Sequence, residues 1–131
     1  MWTAIVCSML LGFLVFGLGL AVSLGRGASN TSIGHSTDPA DPLHKRVRAH
    51  ANATEYAPML AVIMLFLGSR QPSLWVLATM WIATAARYLH AAGMIFPPTL
   101  AKPNPLRFAG ALLTYVCGLL LCIAGMLYAY V

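Results

Sequence analysis

Arg48-Ala49-His50-Ala51-Asn52-Ala53-Thr54-Glu55-Tyr56-Ala57-Pro58 sets Arg48, Asn52 and Glu55 into the opening turns of an otherwise apolar helix. At about 100° per residue the three fall at 0°, about 40° and about −20°, a single narrow stripe. An ionised group held in hydrocarbon costs roughly 3 kcal/mol on insertion scales, so a stripe of this kind faces protein or ligand rather than lipid. A cation, an amide and an anion on one stripe make either a buried ion pair or a receptor for a zwitterion.

The surrounding chain shows why hydrocarbon is the right reference. Of 131 residues, 60% are apolar and only 8% charged, against roughly 25% charged in soluble domains. Met1–Leu24 and Phe108–Val131 carry no charged side chain, and each exceeds the ~20 residues that cross a bilayer. Two further apolar stretches, Ala49–Gly68 and Ser73–Gly93, are interrupted only by His50 and Glu55 and by Arg87 and His90. The pattern predicts an all-α, polytopic membrane protein: one four-helix domain with helices at about 2–24, 42–68, 73–94 and 105–131. The first run lacks a basic start and is longer than a signal-peptide core, so it is read as a retained helix.

Punctuation sets the joints. Arg26 to Ala40 is a polar loop, and Asp41-Pro42 is a cap-and-proline pair that opens the second helix. Gly68 to Pro72 is a turn with Ser73 as the next cap, and Asn104-Pro105 repeats the signal for the fourth helix. Pro58 interrupts the hydrogen-bond ladder of the second helix, which predicts a bend there. Cys7, Cys117 and Cys122 lie in apolar runs and read as small buried residues. No Cys/His metal spacing and no phosphate loop is present, and the Asn30 and Asn52 glycosylation sequons read as accidental.

Arg26, Lys45, Arg46, Arg48, Lys102 and Arg107 flank the first and third loops, whereas the opposite side has Arg70 alone. The positive-inside rule puts these loops in the cytosol and both termini outside, in the inner (plasma) membrane for a bacterial chain. The net charge of +5 therefore speaks for topology and anionic lipid, not nucleic acid. Depth sorts the charges further. Glu55 lies about 10 Å beyond Arg48 along the axis, too deep for a short side chain to reach water, so it requires a partner. Arg87 and His90 share a face of the third helix. Arg26, Arg48, Arg87 and Arg107 outnumber the one deep acid, which suits an anionic ligand bearing one ammonium group. The plainer alternatives are Glu55 paired to Arg48 or Arg87 as structural glue, His90 and Tyr56 as packing residues, and Tyr128 and Tyr130 as an interfacial belt. His50, at about 200° from Arg48, reaches the same ligand only across two subunits.

RAHANATEYAP from Arg48, RYLHAAG from Arg87 and RFAGALLT from Arg107 resemble the family of membrane-associated proteins in eicosanoid and glutathione metabolism (MAPEG), its bacterial branch most closely. The resemblance implies a homotrimer that binds glutathione between subunits near the cytosolic side, with a lipophilic small molecule as second substrate. By the same resemblance Arg26, Arg48, His50, Asn52, Glu55, Tyr56, Arg87 and His90 are the glutathione-binding residues, and Arg107 is the catalytic residue that steadies the thiolate. Lys102 is the alternative for that role. Where eukaryotic transferases have tyrosines on the third helix, this chain has His90 and Met94.

The chemistry agrees with the residue types. Arginines match the two carboxylates of glutathione, and Glu55 matches its ammonium. Lowering a thiol pKa from ~8.5 by about two units needs ~2.7 kcal/mol of preference for the anion, within reach of one well-placed guanidinium. The sequence thus predicts a glutathione-dependent membrane transferase, with peroxide reduction as a related activity and no metal. A non-catalytic lipid- or glutathione-binding scaffold is the alternative. A proton-coupled exporter fits less well, since the first helix has no acid.

Overall fold

In a computed structural model that describes residues 1–129, the chain folds into four α-helices: α1 (Trp2–Ala28), α2 (Pro42–Gly68), α3 (Leu74–Ile95) and α4 (Pro105–Ala129). Tyr130 and Val131 lie outside the described residues. The caps act much as their sequence suggests. Asp41 Oδ1 accepts from the His44 amide at 2.6 Å with Pro42 in the first turn, and Asn104 Oδ1 accepts from the Arg107 amide at 3.0 Å. Ser73 differs. Its side chain makes no cap bond, and its amide instead donates to Tyr128 Oη at 3.0 Å, so Tyr128 ties the end of α4 to the start of α3 rather than only facing an interface. α1 runs on past Leu24 to Ala28, which places Arg26 in its last turn.

α1, α2 and α4 are each long and apolar enough to cross a membrane. The 22 residues of α3 span about 33 Å at 1.5 Å per residue; Arg87 and His90 lower its hydropathy, and the bundle buries both. α2 and α3 form the centre. α1 packs on α2 and α3, α4 on α3 and α2, and the α1 and α4 backbones make no close approach among the described residues. The helix crossing of α3 and α4 depends on two glycines. A Cβ on Gly93 would strike the Arg107 backbone, and one on Gly110 would lie 2.5 Å from the His90 amide nitrogen.

The core has two storeys. Cys7 and Leu11 meet Leu60, Met64, Met80, Cys117 and Leu121 at the end nearer the termini, and Leu14, Leu18, Ala49, Ala53, Ala91 and Met94 pack at the other end. Cys122 is exposed, contrary to its sequence reading, because it sits on the side of α4 turned away from this core. The α1–α2 and α3–α4 loops lie together: the Leu100 amide donates to the Pro39 carbonyl at 2.9 Å, and Lys45 Nζ to the Pro97 carbonyl at 2.8 Å. The basic loops therefore form one end of the bundle.

Candidate functional site

Arg87 is the organising residue. It is 1% exposed, at the junction of α2, α3 and α4. Its Nη2 donates to Asn52 Oδ1 at 2.7 Å and to the Asn52 carbonyl at 3.1 Å, while Nη1 lies 3.5 Å from Thr114 Oγ1. The guanidinium also stands 5.1 Å from the centre of the Tyr56 ring, close enough for a cation–π contact. Tyr56 Oη in turn shares a 3.1 Å hydrogen bond with Tyr115 Oη. Arg87 Nε alone has no partner. α2 thus brings Asn52 and Tyr56 to Arg87, and α4 adds Thr114 and Tyr115. Those two were missed in the sequence: Thr114 ends a motif quoted for its arginine, and Tyr115 looks like one more apolar-run aromatic.

Glu55 lies beside this cluster but outside it. Its side chain is exposed and lines a cavity of about 470 Å³ between α2 and α4, together with Tyr56, Met59, Tyr115 and Cys122. Neither Arg48 nor Arg87 pairs with it, and no acid and base among the described residues form a salt bridge. The structural-glue alternative for Glu55 therefore fails within one chain. Arg48, on the same stripe about two turns towards the loop end, is also exposed.

His90 and Arg107 meet at the loop end of α3 and α4. His90 is 7% exposed, and its Nδ1–H donates to the Arg107 carbonyl at 2.9 Å, which leaves Nε2 as the acceptor nitrogen. The Arg107 guanidinium folds onto the α3–α4 loop, with Nη1 donating to the Leu100 carbonyl at 3.1 Å and Nη2 to that of Lys102 at 3.2 Å. Lys102 itself is exposed. His90 and Arg107 line a second cavity of about 720 Å³ with Asn104 and Phe108. The linings Phe108, Ala111, Tyr115, Gly118 and Cys122 recur every three or four residues, so the two cavities lie end to end along one side of α4. Glu55 and Tyr56 in one cavity and His90 and Arg107 in the other therefore lie along the same side of α4.

Arg26 and His50 are elsewhere. They line a cavity of about 520 Å³ between α1 and α2. Gly19 makes room for the imidazole, since a methyl there would come within 3.2 Å of His50 Nε2. Arg26 Nε is buried without a partner. One chain therefore carries two separate surfaces: Glu55, Tyr56, His90 and Arg107 along α2–α4, and Arg26 with His50 along α1–α2. Among the described residues no group of three or more His, Cys, Asp and Glu side chains comes together as a metal site.

Comparison with known proteins adds one match: the MAPEG family profile covers residues 4–127, nearly the whole chain. No curated protein and no solved structure matches.

Proposed function

The chain belongs to the MAPEG family of membrane proteins, and from that premise we propose that it is a glutathione-dependent transferase of the bacterial branch that activates the thiolate for attack on a lipophilic electrophile. The family includes glutathione-dependent transferases, peroxidases and synthases, which is the class of chemistry this reading specifies. The observation that carries it is Glu55: a lone carboxylate on a cavity wall, without an ion-pair partner, beside a buried arginine held by neutral groups.

In this reading Glu55 takes the glutathione ammonium and Arg48 a carboxylate. The second carboxylate goes to Arg26, with His50 beside it, from the α1–α2 face of a neighbouring subunit in a homotrimer. Arg87 holds Asn52 and Tyr56 in place and lends its charge. Arg107 supplies the cation for the sulfur by releasing one of its two loop carbonyls. The thiol proton leaves to water, the thiolate forms a C–S bond, and the leaving group departs from the electrophile; with a peroxide, the thiolate attacks one oxygen, the alkoxide leaves and takes a proton, and the sulfenic acid so formed condenses with a second glutathione to disulfide and water. The electrophile enters from the bilayer along the apolar wall of the α2–α4 cavity. The basic loops face the cytosol and both termini lie on the other side.

A second reading has a specific observation behind it. Both Arg107 Nη atoms are already bonded to loop carbonyls, and Met94 replaces a polar group on α3, which favours glutathione or lipid binding without catalysis. Purified protein in lipid nanodiscs, mixed with glutathione and a model aryl halide, separates the two. Ultraviolet absorbance of a thiolate together with conjugate formation supports the transferase. Saturable binding without either leaves the glutathione-binding protein, and no binding of glutathione removes the transferase and leaves lipid binding alone.

A further inference from the structure

We propose that His35, the Ser36 carbonyl and His44 form a binding site for a divalent late first-row transition-metal ion, with Cu²⁺ and Ni²⁺ preferred over Zn²⁺. This site is separate from the glutathione surfaces and does not rest on the reading given for them. The α1–α2 loop folds back over the first turn of α2 and brings His35 Nδ1 to 3.1 Å from His44 Nδ1. The Ser36 carbonyl oxygen lies 2.7 Å from the first nitrogen and 2.9 Å from the second. Three donor atoms from three residues thus make a nearly equilateral triangle.

The size of that triangle is informative. A metal–nitrogen bond is about 2.05 Å, so donors at right angles about one ion stand about 2.9 Å apart, whereas tetrahedral donors stand about 3.4 Å apart. The observed edges of 2.7, 2.9 and 3.1 Å match one face of an octahedron. Imidazole nitrogen with a carbonyl oxygen in octahedral or tetragonal array is the set that Ni²⁺ and Cu²⁺ take, and exposed positions leave room for water to complete it. Zn²⁺ in a structural site asks for wider angles.

The triangle is also held ready. Ser36 Oγ accepts from the Asp38 amide at 3.0 Å, and Asp38 Oδ1 accepts from the Ala40 amide at 2.9 Å, so the loop shapes itself through its own short-range bonds. Asp41 caps α2 through the His44 amide and so fixes the backbone that carries the second imidazole. Asp38 and Asp41 add local negative charge. Three acceptors at this spacing repel one another unless a proton or a cation lies between them. With no cation, an Nδ1–H donating to the Ser36 carbonyl fills that role, and a metal ion would displace the proton. Nothing in the Cys/His spacing announces the site because its third donor is a backbone carbonyl. Occupied, it would clasp the loop to α2 at the end of the bundle that carries the basic residues.

Tag-free protein in nanodiscs, titrated with Cu²⁺ against a competing chelator, provides the test. The expected affinity is about micromolar, with His35→Ala and His44→Ala each weakening it by about tenfold or more. Electron paramagnetic resonance of the 1:1 Cu²⁺ complex should show two coordinated imidazoles in the wild type and one in each variant. Ni²⁺ should bind at least as tightly as Zn²⁺. Wild-type affinity in either variant, a spectrum with fewer than two imidazoles in the unaltered protein, or a tenfold preference for Zn²⁺ over Ni²⁺ would overturn the proposal. His35 is exposed and His44 half-buried, and unchanged far-ultraviolet circular dichroism confirms that each variant is folded.

Discussion

Removing the Asn52 amide from beneath Arg87 should reveal whether that arginine acts as a buried ion. Asn52→Leu keeps the branched side-chain shape but deletes the 2.7 Å acceptor, leaving the 3.1 Å bond to the backbone carbonyl of residue 52. Arg87→Met keeps much of the packed stem and deletes the charge. A neutral hydrogen bond between membrane helices averages about 0.6 kcal/mol in double-mutant cycles, whereas bonds to charged groups contribute about 1.5–3 kcal/mol. Arg87 is 1% exposed and charged, so the second range applies, towards its lower half because one acceptor survives. We expect Asn52→Leu alone to cost about 3 kcal/mol, since it strands a buried cation. The coupling between the two changes should be about 2 kcal/mol, or roughly 30-fold in the unfolding equilibrium constant. Reversible unfolding in mixed micelles, followed by the fluorescence of Trp75 and Trp81, measures all four corners of the cycle. Additivity within about 0.5 kcal/mol would refute the reasoning. Arg87→Lys should not restore stability, because a single ammonium cannot hold Asn52 and Thr114 in the same fork.

Other expectations concern the surface above that cluster. Glu55→Gln should weaken glutathione binding in calorimetry by about tenfold, and an unchanged Kd would take Glu55 out of the site. Arg107→Ala should lower kcat more than it raises KM and abolish the thiolate absorbance; equal changes in both constants would assign the sulfur to another cation, Lys102 first. Gly93→Ala should lower stability by about 1–3 kcal/mol or more because its methyl meets the Arg107 backbone, whereas Gly17→Ala, with nothing within 4 Å, should not. Equal melting temperatures for the two would contradict the crossing of α3 and α4. Chains carrying His50→Ala and Glu55→Gln, each binding glutathione more weakly alone, should regain wild-type affinity at about a quarter of sites when co-assembled at random if the site spans two subunits. No recovery would place both residues in one subunit's site.

Much of the architecture could be read from punctuation, because caps, prolines and uncharged runs act locally. Asp41-Pro42 and Asn104-Pro105 begin helices in the structure as they do in the sequence. The stripe of Arg48, Asn52 and Glu55 divides in the structure, since Asn52 turns to Arg87 while Arg48 and Glu55 are exposed. What the stripe could not reveal is which polar groups face each other and which face outward. Arg87 and Glu55 look equally available in sequence, yet the first is engaged by Asn52 and Thr114 while the second lines a cavity. That difference depends on where α4 packs, a long-range outcome with no local signal. Arg26 falls inside α1 rather than in a loop because the helix continues through Gly25 and Gly27, residues that usually argue for an end. The histidine triangle was illegible for another reason: a backbone carbonyl has no letter of its own.

The choice of partners for the arginines bears directly on function. Arg87 is held by an amide, a hydroxyl and an aromatic face, and Arg107 by two backbone carbonyls. All these acceptors are neutral. Each fixes the guanidinium in place without cancelling its charge, as a carboxylate would. Had Glu55 paired with Arg87, the bundle would have satisfied both groups and lost its positive field at that depth. A bundle selected for stability alone gains little by leaving such charges unneutralised, since buried ions are expensive even when paired. A bundle that must draw an anion into a low-dielectric groove and keep a sulfur deprotonated needs the field intact. The neutral cradle around Arg87, with the acid set apart from it, is the arrangement that the second requirement favours.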